Sequence, residues 1–500
     1  MARTRWIFAG QLGPQFDDGG RMLLIEARSV FARAPMHRAK AHLLLSAMRH
    51  RAAELGDRVD FHQVERYSDV VGTATQPGPV DPAALEVIDP TSWAARAMVR
   101  RLGLHVLPSR GFVTSEQDFA MWAGARGGKR LLLEDFYRTV RQRTGILMEG
   151  ESPAGGQWNY DADNRQSPPK NAISLGLPDP WWPTEDAIDE QVREDLDRWV
   201  AEGAVTLVGD DGPRRFAATA AEAASVVADF VESRLNDFGP FEDATLTGDW
   251  TMAHSLLSAP MNLGLIDPRE VVETVAAEYT AGRAPLSSVE GFVRQVMGWR
   301  DYVWHLYWHL GEDYSHTNNA LRAHQPMPAE LLALADGEIE MNCLSHTIEG
   351  GTPARLGAPH PAADDHRQLV AAARLRSAAA ERLVYQHVCR RHPLGDAGEC
   401  DRDVPARRRR RRRHQALCLG RRLYQQDDGL LRGMPLQPEG AARPGRVPVH
   451  RRLLGVPRPH GTAAARQPPD GAAARGASTS QRPRGRGAAG TPARPSVAGG

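Results

Sequence analysis

Cysteine is scarce in this chain: Cys343, Cys389, Cys400 and Cys418 are the four among 500 residues, and no two form a C-x-x-C pair. That usage excludes a disulfide scaffold and fits a reducing compartment, so a cytoplasmic location is expected. No stretch approaches the roughly 20 apolar residues of a membrane helix. The N-terminal MARTRWIFAG carries a basic cluster without the apolar run of a signal peptide, so neither a membrane partner nor export is expected. Also missing are a Walker loop, G-x-S-x-G, H-E-x-x-H and a G-x-G-x-x-G after a strand. No conventional acid, base or nucleophile stands out, and no catalytic side chain is assigned.

The largest absence is regional. Positions 351–500 contain no lysine, isoleucine, asparagine, tryptophan or phenylalanine, whereas all 11 tryptophans and 12 phenylalanines precede position 351. The same 150 residues hold 29 arginines against 11 acids, a charge of +18, while residues 1–350 carry −17. The formal net charge of +1 is the near-cancellation of these two halves. An alphabet without large apolar residues cannot build a core, so 351–500 is expected to be a largely disordered tail.

What is present before position 351 is ordered by pattern. From Trp6 to Arg110 the short apolar runs WIFA, MLLIEA, VDFHQVE, LEVID and LHVLP alternate with helical spacings such as HRAKAHLLLSAMRHRAAEL. Strands alternating with helices predict a parallel, doubly wound α/β sheet with ligands at the carboxyl ends of its strands. Between Gly145 and Glu185 the chain turns rich in Gly, Pro, Asn and Trp and reads as a connector. Beyond it helical spacing dominates, as in TAAEAASVVADFVESRL, and Asp267-Pro268 with Glu270 marks a helix start. GFVRQVMGWRDYVWHLYWHL, with Trp299, Trp304 and Trp308, reads as two helices or one long one. The expected organisation is an α/β domain over 1–140, a linker over 141–190, an incomplete all-α domain over 191–350 and the tail over 351–500.

Several strings between Gly10 and Gly350 go further: GQL, HRAKAHLLLSAMRH, LLLEDFYRTVRQRTGILM, GGQWNYDADNR, HSLLSAPMNLGLI, FVRQVMGWRDY and EMNCLSHTIEG. In this order they resemble the cryptochrome/photolyase superfamily, in particular its bacterial iron–sulfur branch of deoxyribodipyrimidine photolyase-related proteins. The resemblance implies an antenna-binding α/β domain and a helical domain holding FAD. It implies a light-dependent carbon–carbon lyase acting on damaged DNA, in which the reduced, photoexcited flavin donates an electron to a flipped-out pyrimidine photoproduct. A monomer is expected.

The same resemblance assigns residues. His254, Ser255, Leu257 and Ser258 of HSLLSAP match the segment that meets the flavin pyrophosphate, although two helix-capping serines would look the same. Arg294, Gln295, Trp299 and Arg300 match the helix lining the flavin and lesion pocket; a buried Trp beside a basic helix face is the plainer reading. Glu26, His37 and Lys40 are candidates for the pocket of a ribolumazine-like antenna, or else surface charges. Where the family reads Gly-Asp-Gln-Leu after the first strand, this chain has Ala9-Gly10-Gln11-Leu12. Cys343 corresponds to the first ligand of a [4Fe–4S] cluster.

The resemblance stops at Gly350, where the composition changes. Seven consecutive arginines, Arg407–Arg413, suggest nucleic-acid binding through phosphate neutralisation. A shifted reading frame explains more. If each codon's last two bases join the first base of the next, Gly395 to Pro405 reads V-M-L-A-N-V-I-G-M-S-Q, and GAPHPAADDH, with Leu356 supplying the first bases, reads W-A-H-H-I-Q-R-L-M-I, strings of this family. Met434 before Pro435 then forces a cysteine codon, and others can span Leu431/Arg432 and Val447/Pro448. The chain as written keeps one of four cluster ligands, so the cluster is expected to be absent and repair impaired. The rival functions are a non-enzymatic nucleic-acid-binding protein and a cryptochrome-like photoreceptor.

Overall fold

A computed structural model describes residues 3–73, 77–246, 248–314 and 326, all within the first of two units, residues 1–449. The tail and Cys343 lie outside the described residues.

The apolar runs become strands β1 (Thr4–Ile7) and β2 (Met22–Ala27), followed by α1 (Arg28–Phe31), the short β3 (Met36–His37) and α2 (Arg38–Leu55). β4 (Val59–Val64), β5 (Leu85–Ile88), α3 (Trp93–Leu102) and β6 (His105–Leu107) complete the layer. The sheet order is β4-β2-β1-β5-β6 and every pairing is parallel, with Trp6 opposite Leu23 and Glu86 opposite His105. Alternation sends Trp6, Leu23, Ile25, Leu85 and Val87 to one face, where they meet Val99 of α3. Ile7, Met22 and Leu24 go to the other, against Leu43, Ala47 and Met48 of α2. Burial on both faces is why all six residues of β2 are inside.

The helical part begins with α4 (Glu116–Ala125) and α5 (Leu133–Thr144), then a two-residue hairpin of β7 (Met148–Glu149) and β8 (Ser152–Pro153). This hairpin falls in the segment expected to be a plain connector. Irregular chain follows to α6 (Ala187–Ala201) and β9 (Leu207–Val208), then α7 (Ala220–Ser233), α8 (Leu235–Phe241), α9 (Ser258–Leu263), α10 (Pro268–Thr280) and α11 (Leu286–Val293). Asp267 caps α10 by accepting from Arg269 N at 2.8 Å, as the Asp-Pro pair predicts.

Two features were not visible in composition. α6 packs Val192, Leu196 and Trp199 on Phe31, Ala41 and Leu45, and β9 pairs with β3, so the chain returns to the α/β layer before leaving it again. The Trp-rich run is the single long helix of the two alternatives, though not a regular one. α11 passes through a π-helical segment, Arg294–Arg300, into α12 (Asp301–Leu310). No helix among the described residues is long and apolar enough to cross a membrane.

Candidate functional site

β1 pairs with both β2 and β5, so the sheet's growth reverses there and a crevice opens at the carboxyl ends of β1 and β5. Gln11 of the Ala9–Leu12 loop stitches that crevice: its Nε2 donates to Ile88 O at 3.0 Å, and its Oε1 accepts from Phe8 N at 3.2 Å. The end of α9 then closes over it. Leu12 N donates to Leu263 O at 3.2 Å and Gln15 Nε2 to Gly264 O at 2.9 Å. Gly264 holds φ +67°, and a Cβ there would stand 2.4 Å from Gly10 O, so the approach requires glycine. A small cleft survives, lined by Gly10, Thr91, Gly111, Phe112, Asn262 and Arg300 among others.

Arg300 spans this seam. Its Nη1 donates to Gly111 O at 2.8 Å and its Nη2 to Met261 O at 3.3 Å, and the guanidinium lies 4.4 Å from the Phe112 ring centroid. Nε is buried without a hydrogen-bond partner. Burial pushes its pKa down to about 10, against the pull of Asp301 and Asp267. Gln295 and Trp299 are half-buried, Trp299 against the main core.

Arg294 is placed differently. Its guanidinium is paired with Asp161, lies 3.3 Å from Glu290 and approaches Glu242 at 4.0 Å. Glu290 also accepts from Tyr160 N at 3.1 Å. Burial alone would lower the Arg294 pKa, but Glu290 and Asp161 raise it, so the group stays charged and its charge is met inside the protein. The half-buried stretch Trp158–Asp161 and the buried Asn164 are thereby held against α11, with Asn164 Nδ2 donating to Ser287 O at 3.2 Å. Sequence reasoning quoted GGQWNYDADNR without a role; the lone basic residue of FVRQVM was the signal that carboxylates must lie near it.

His254 to Ser258 form the turn into α9. Met252 and Leu256 hold φ +41° and +55°, sparsely populated values for side chains of their size. Asp249 Oδ1 accepts from Thr251 N, Thr251 Oγ1 and Met252 N at 2.8–3.1 Å and fixes the entry. His254 and Leu257 are buried and the two serines half-buried. Ser255 Oγ accepts from Leu257 N at 3.4 Å, whereas α9 has no side-chain cap, so Ser258 is not a capping residue. The Arg300–Met261 bond brings this turn's helix to the π-helical segment.

Glu26, His37 and Lys40 surround α2, but each has its own contacts. Arg49 grips Glu26 through Nε at 2.9 Å and Nη2 at 2.7 Å, and the same Nη2 reaches Asp195 of α6 at 2.6 Å. His37 caps α2 by accepting from Ala39 N at 3.2 Å. Its Nε2 abuts Gly209, where a Cβ would stand 2.4 Å away. Lys40 is buried. Among the described residues one cluster could hold a metal by distance: His50, Asp186 and Asp189 place ligand atoms within 4.8 Å of one another. Asp189 is already neutralised by Arg214 at 3.0 Å, and Asp186 caps α6.

A doubly wound parallel sheet whose switch point is closed by a helical body defines the class. Residues 5–205 match the family model described as deoxyribodipyrimidine photo-lyase-related protein. A (6-4) photolyase of Agrobacterium fabrum is 33% identical over 369 residues, covering 70% of each chain. Among solved structures, a bacterial class III photolyase of Agrobacterium tumefaciens aligns with a TM-score of 0.50 at 14% identity, covering 79% of this chain and 78% of that one. The cryptochrome of Synechocystis aligns at 0.53 and 12%, covering 84% and 87%. The chain belongs to the photolyase-related branch of the photolyase and cryptochrome family.

Proposed function

We propose that this chain is built as a light-driven DNA-repair flavoprotein whose activity is impaired by a shifted reading frame after about residue 350. The observation that carries the reading is the Arg300–Met261 hydrogen bond. It joins two candidate flavin segments 39 residues apart, one strained at Met252 and Leu256 and the other π-helical, and irregular backbone of both kinds is frequent at functional sites.

The donor chemistry of the turn fits FAD: two half-buried hydroxyls, an imidazole and the amides of a bend pinned by Asp249, with no carboxylate among His254–Ser258 to repel a pyrophosphate. His254, Ser255, Leu257 and Ser258 would hold the phosphates, and Gln295, Trp299 and Arg300 would line the ring. Arg294 acts behind them, anchoring the π-helical segment through Asp161 and Glu290. When bound and reduced, FAD supplies the electron that splits a pyrimidine photoproduct in damaged DNA. The protein's own task is to orient the ring and exclude water.

Glu26 and His37 do not fit a free antenna set, because Arg49 and Gln63 donate to the Glu26 carboxylate and His37 Nδ1 accepts from Ala39 N. The reading therefore contains no antenna step. Cys343 by itself cannot hold a [4Fe–4S] cluster, so the chain as written binds none.

Absorption spectra of the purified chain and of a version restored by one base near Gly350 test the proposal. The restored chain is expected to retain FAD and a cluster and to repair ultraviolet-damaged DNA under light, while the printed chain retains little of either. Equal, stoichiometric flavin in both would overturn the frame claim. Bare protein in both, with salt-sensitive DNA binding, would favour the arginine-rich tail as the working part.

A further inference from the structure

Directly after Arg300, two titratable side chains of α12 face one hydroxyl of the loop between β6 and α4. Asp301 Oδ2 accepts from Thr114 N at 2.7 Å and from Thr114 Oγ1 at 2.9 Å. On its other side Thr114 Oγ1 lies 2.8 Å from His305 Nε2. Asp301 is 0% exposed and His305 2%; the Val113 N–H also bears on the Asp301 carboxyl, and the Thr114 backbone faces His305. A hydroxyl has one proton to give. When Asp301 is ionised Thr114 donates to it, and His305 must then donate its Nε2–H to Thr114. When Asp301 carries a proton it donates to Thr114, whose own proton turns to His305 Nε2, and the imidazole must hold its hydrogen on Nδ1.

We propose that Asp301, Thr114 and His305 form a buried proton relay: one proton enters at His305 Nδ1, the Nε2 proton passes to Thr114 Oγ1 and the Thr114 hydroxyl proton passes to Asp301, so that protonation of Asp301 and the change of tautomer at His305 are one event. The relay positions the end of the π-helical segment against the 111–114 loop. It stands whether or not the flavin reading holds.

The surroundings decide where the proton rests. Phe112, Phe119 and Phe136 face His305 with ring centroids 6.4, 5.3 and 6.2 Å away. The charged neighbours are Arg300 from the π-helical segment, which favours ionised Asp301, and Asp118 from α4, which favours a charged His305. Asp118 is itself held by Arg143 of α5 at 2.8 Å, and Asp267 at the start of α10 acts on Arg300. Burial outweighs these influences. It pushes Asp301 up to about 6 and His305 down to about 4, so the folded protein prefers neutral forms at both ends.

Linkage gives each end a sign. Asp301, raised in the fold, contributes stability that is present below its ordinary 3.8 and lost as pH rises through about 6. His305, lowered in the fold, contributes stability present above 6.5 and lost as pH falls through about 4. Between about 4 and 6 the two oppose each other. The pair holds one proton in the fold, on Asp301, and one in the unfolded chain, on His305.

The test is nitrogen-15 NMR of the full chain labelled at histidine, with the His305 signal assigned by its loss in His305→Gln. His305 should stay neutral from pH 8 to about 5 and change from the Nε2–H to the Nδ1–H tautomer with a midpoint near 6. Thr114→Val should abolish the step, as should Asp301→Asn, which also provides the assignment should His305→Gln fail to fold. Thermal melting supplies an independent readout. From pH 7 to 5, D301N should lose Tm and H305Q gain it, with the wild type between them. A constant tautomer, a full proton on His305 near pH 6.5, or parallel Tm slopes in the two variants would overturn the relay.

Discussion

Buried charge is treated in opposite ways on the two sides of this molecule. Around α2, Arg49 is closed between Glu26 and Asp195, and Arg214 between Asp189 and Glu222. Each cation has its carboxylates within hydrogen-bond distance, and Asp189 sits below its ordinary pKa: burial would raise it, but Arg214 and Ser46 lower it. At the seam of the π-helical segment, Arg300 binds backbone carbonyls, Asp301 binds Thr114, and both shift toward their neutral forms. Matched pairs fasten elements. Unmatched groups stay titratable, which is a property useful near chemistry and costly elsewhere.

Removing a cation from the matched side should have the largest effect. Arg49→Ala leaves Glu26, 2% exposed, without its guanidinium partner while Gln63 Nε2 still donates at 3.2 Å. We expect a loss of about 3–5 kcal/mol in urea unfolding; a loss under 1 kcal/mol would erase the contrast. Gly264→Ala, at φ +67° and against Gly10 O, should cost about 1–3 kcal/mol and loosen the sheet from α9, seen as faster amide exchange at Leu12.

On the unmatched side the sign should reverse. Above pH 7 an ionised Asp301 opposes folding, so Asp301→Asn should gain about 1 kcal/mol there and lose that advantage below pH 5, read from urea midpoints at the two pH values. A destabilised D301N at pH 7.5 would place Asp301 with the matched pairs. The smallest effect is expected at an exposed cap: Asp267→Ala removes the bond to Arg269 N and should cost about 0.5–1 kcal/mol in the same assay.

Short apolar runs alternating with helically spaced segments made the five sheet strands and α2 legible, because burial on both faces gives a strand a continuous apolar run. The α10 start was legible because Asp-Pro caps are local. The hairpin Met148–Pro153 and strand β9 were not, since two-residue strands carry no period. At the candidate site, the serine turn and the Arg294–Arg300 run were found as strings. Sequence could not tell that Arg294 would be consumed by Asp161, Glu290 and Glu242 while Arg300 would not, as those carboxylates come from 52 to 133 residues away or from the helix turn before it.

By itself the sequence determined the layer types, the family strings and the compositional break at 350, all of which rest on local spacing and alphabet. Tertiary structure alone decided which charges are paired and which are left to titrate. Gln11 meeting Ile88, Gly264 meeting Gly10 and Thr114 standing between Asp301 and His305 are contacts across 77 to 254 residues of chain. The first exists only once the sheet has formed and the other two only after the helical part closes over it, because pKa and packing depend on what surrounds a group and not on its neighbours in the chain.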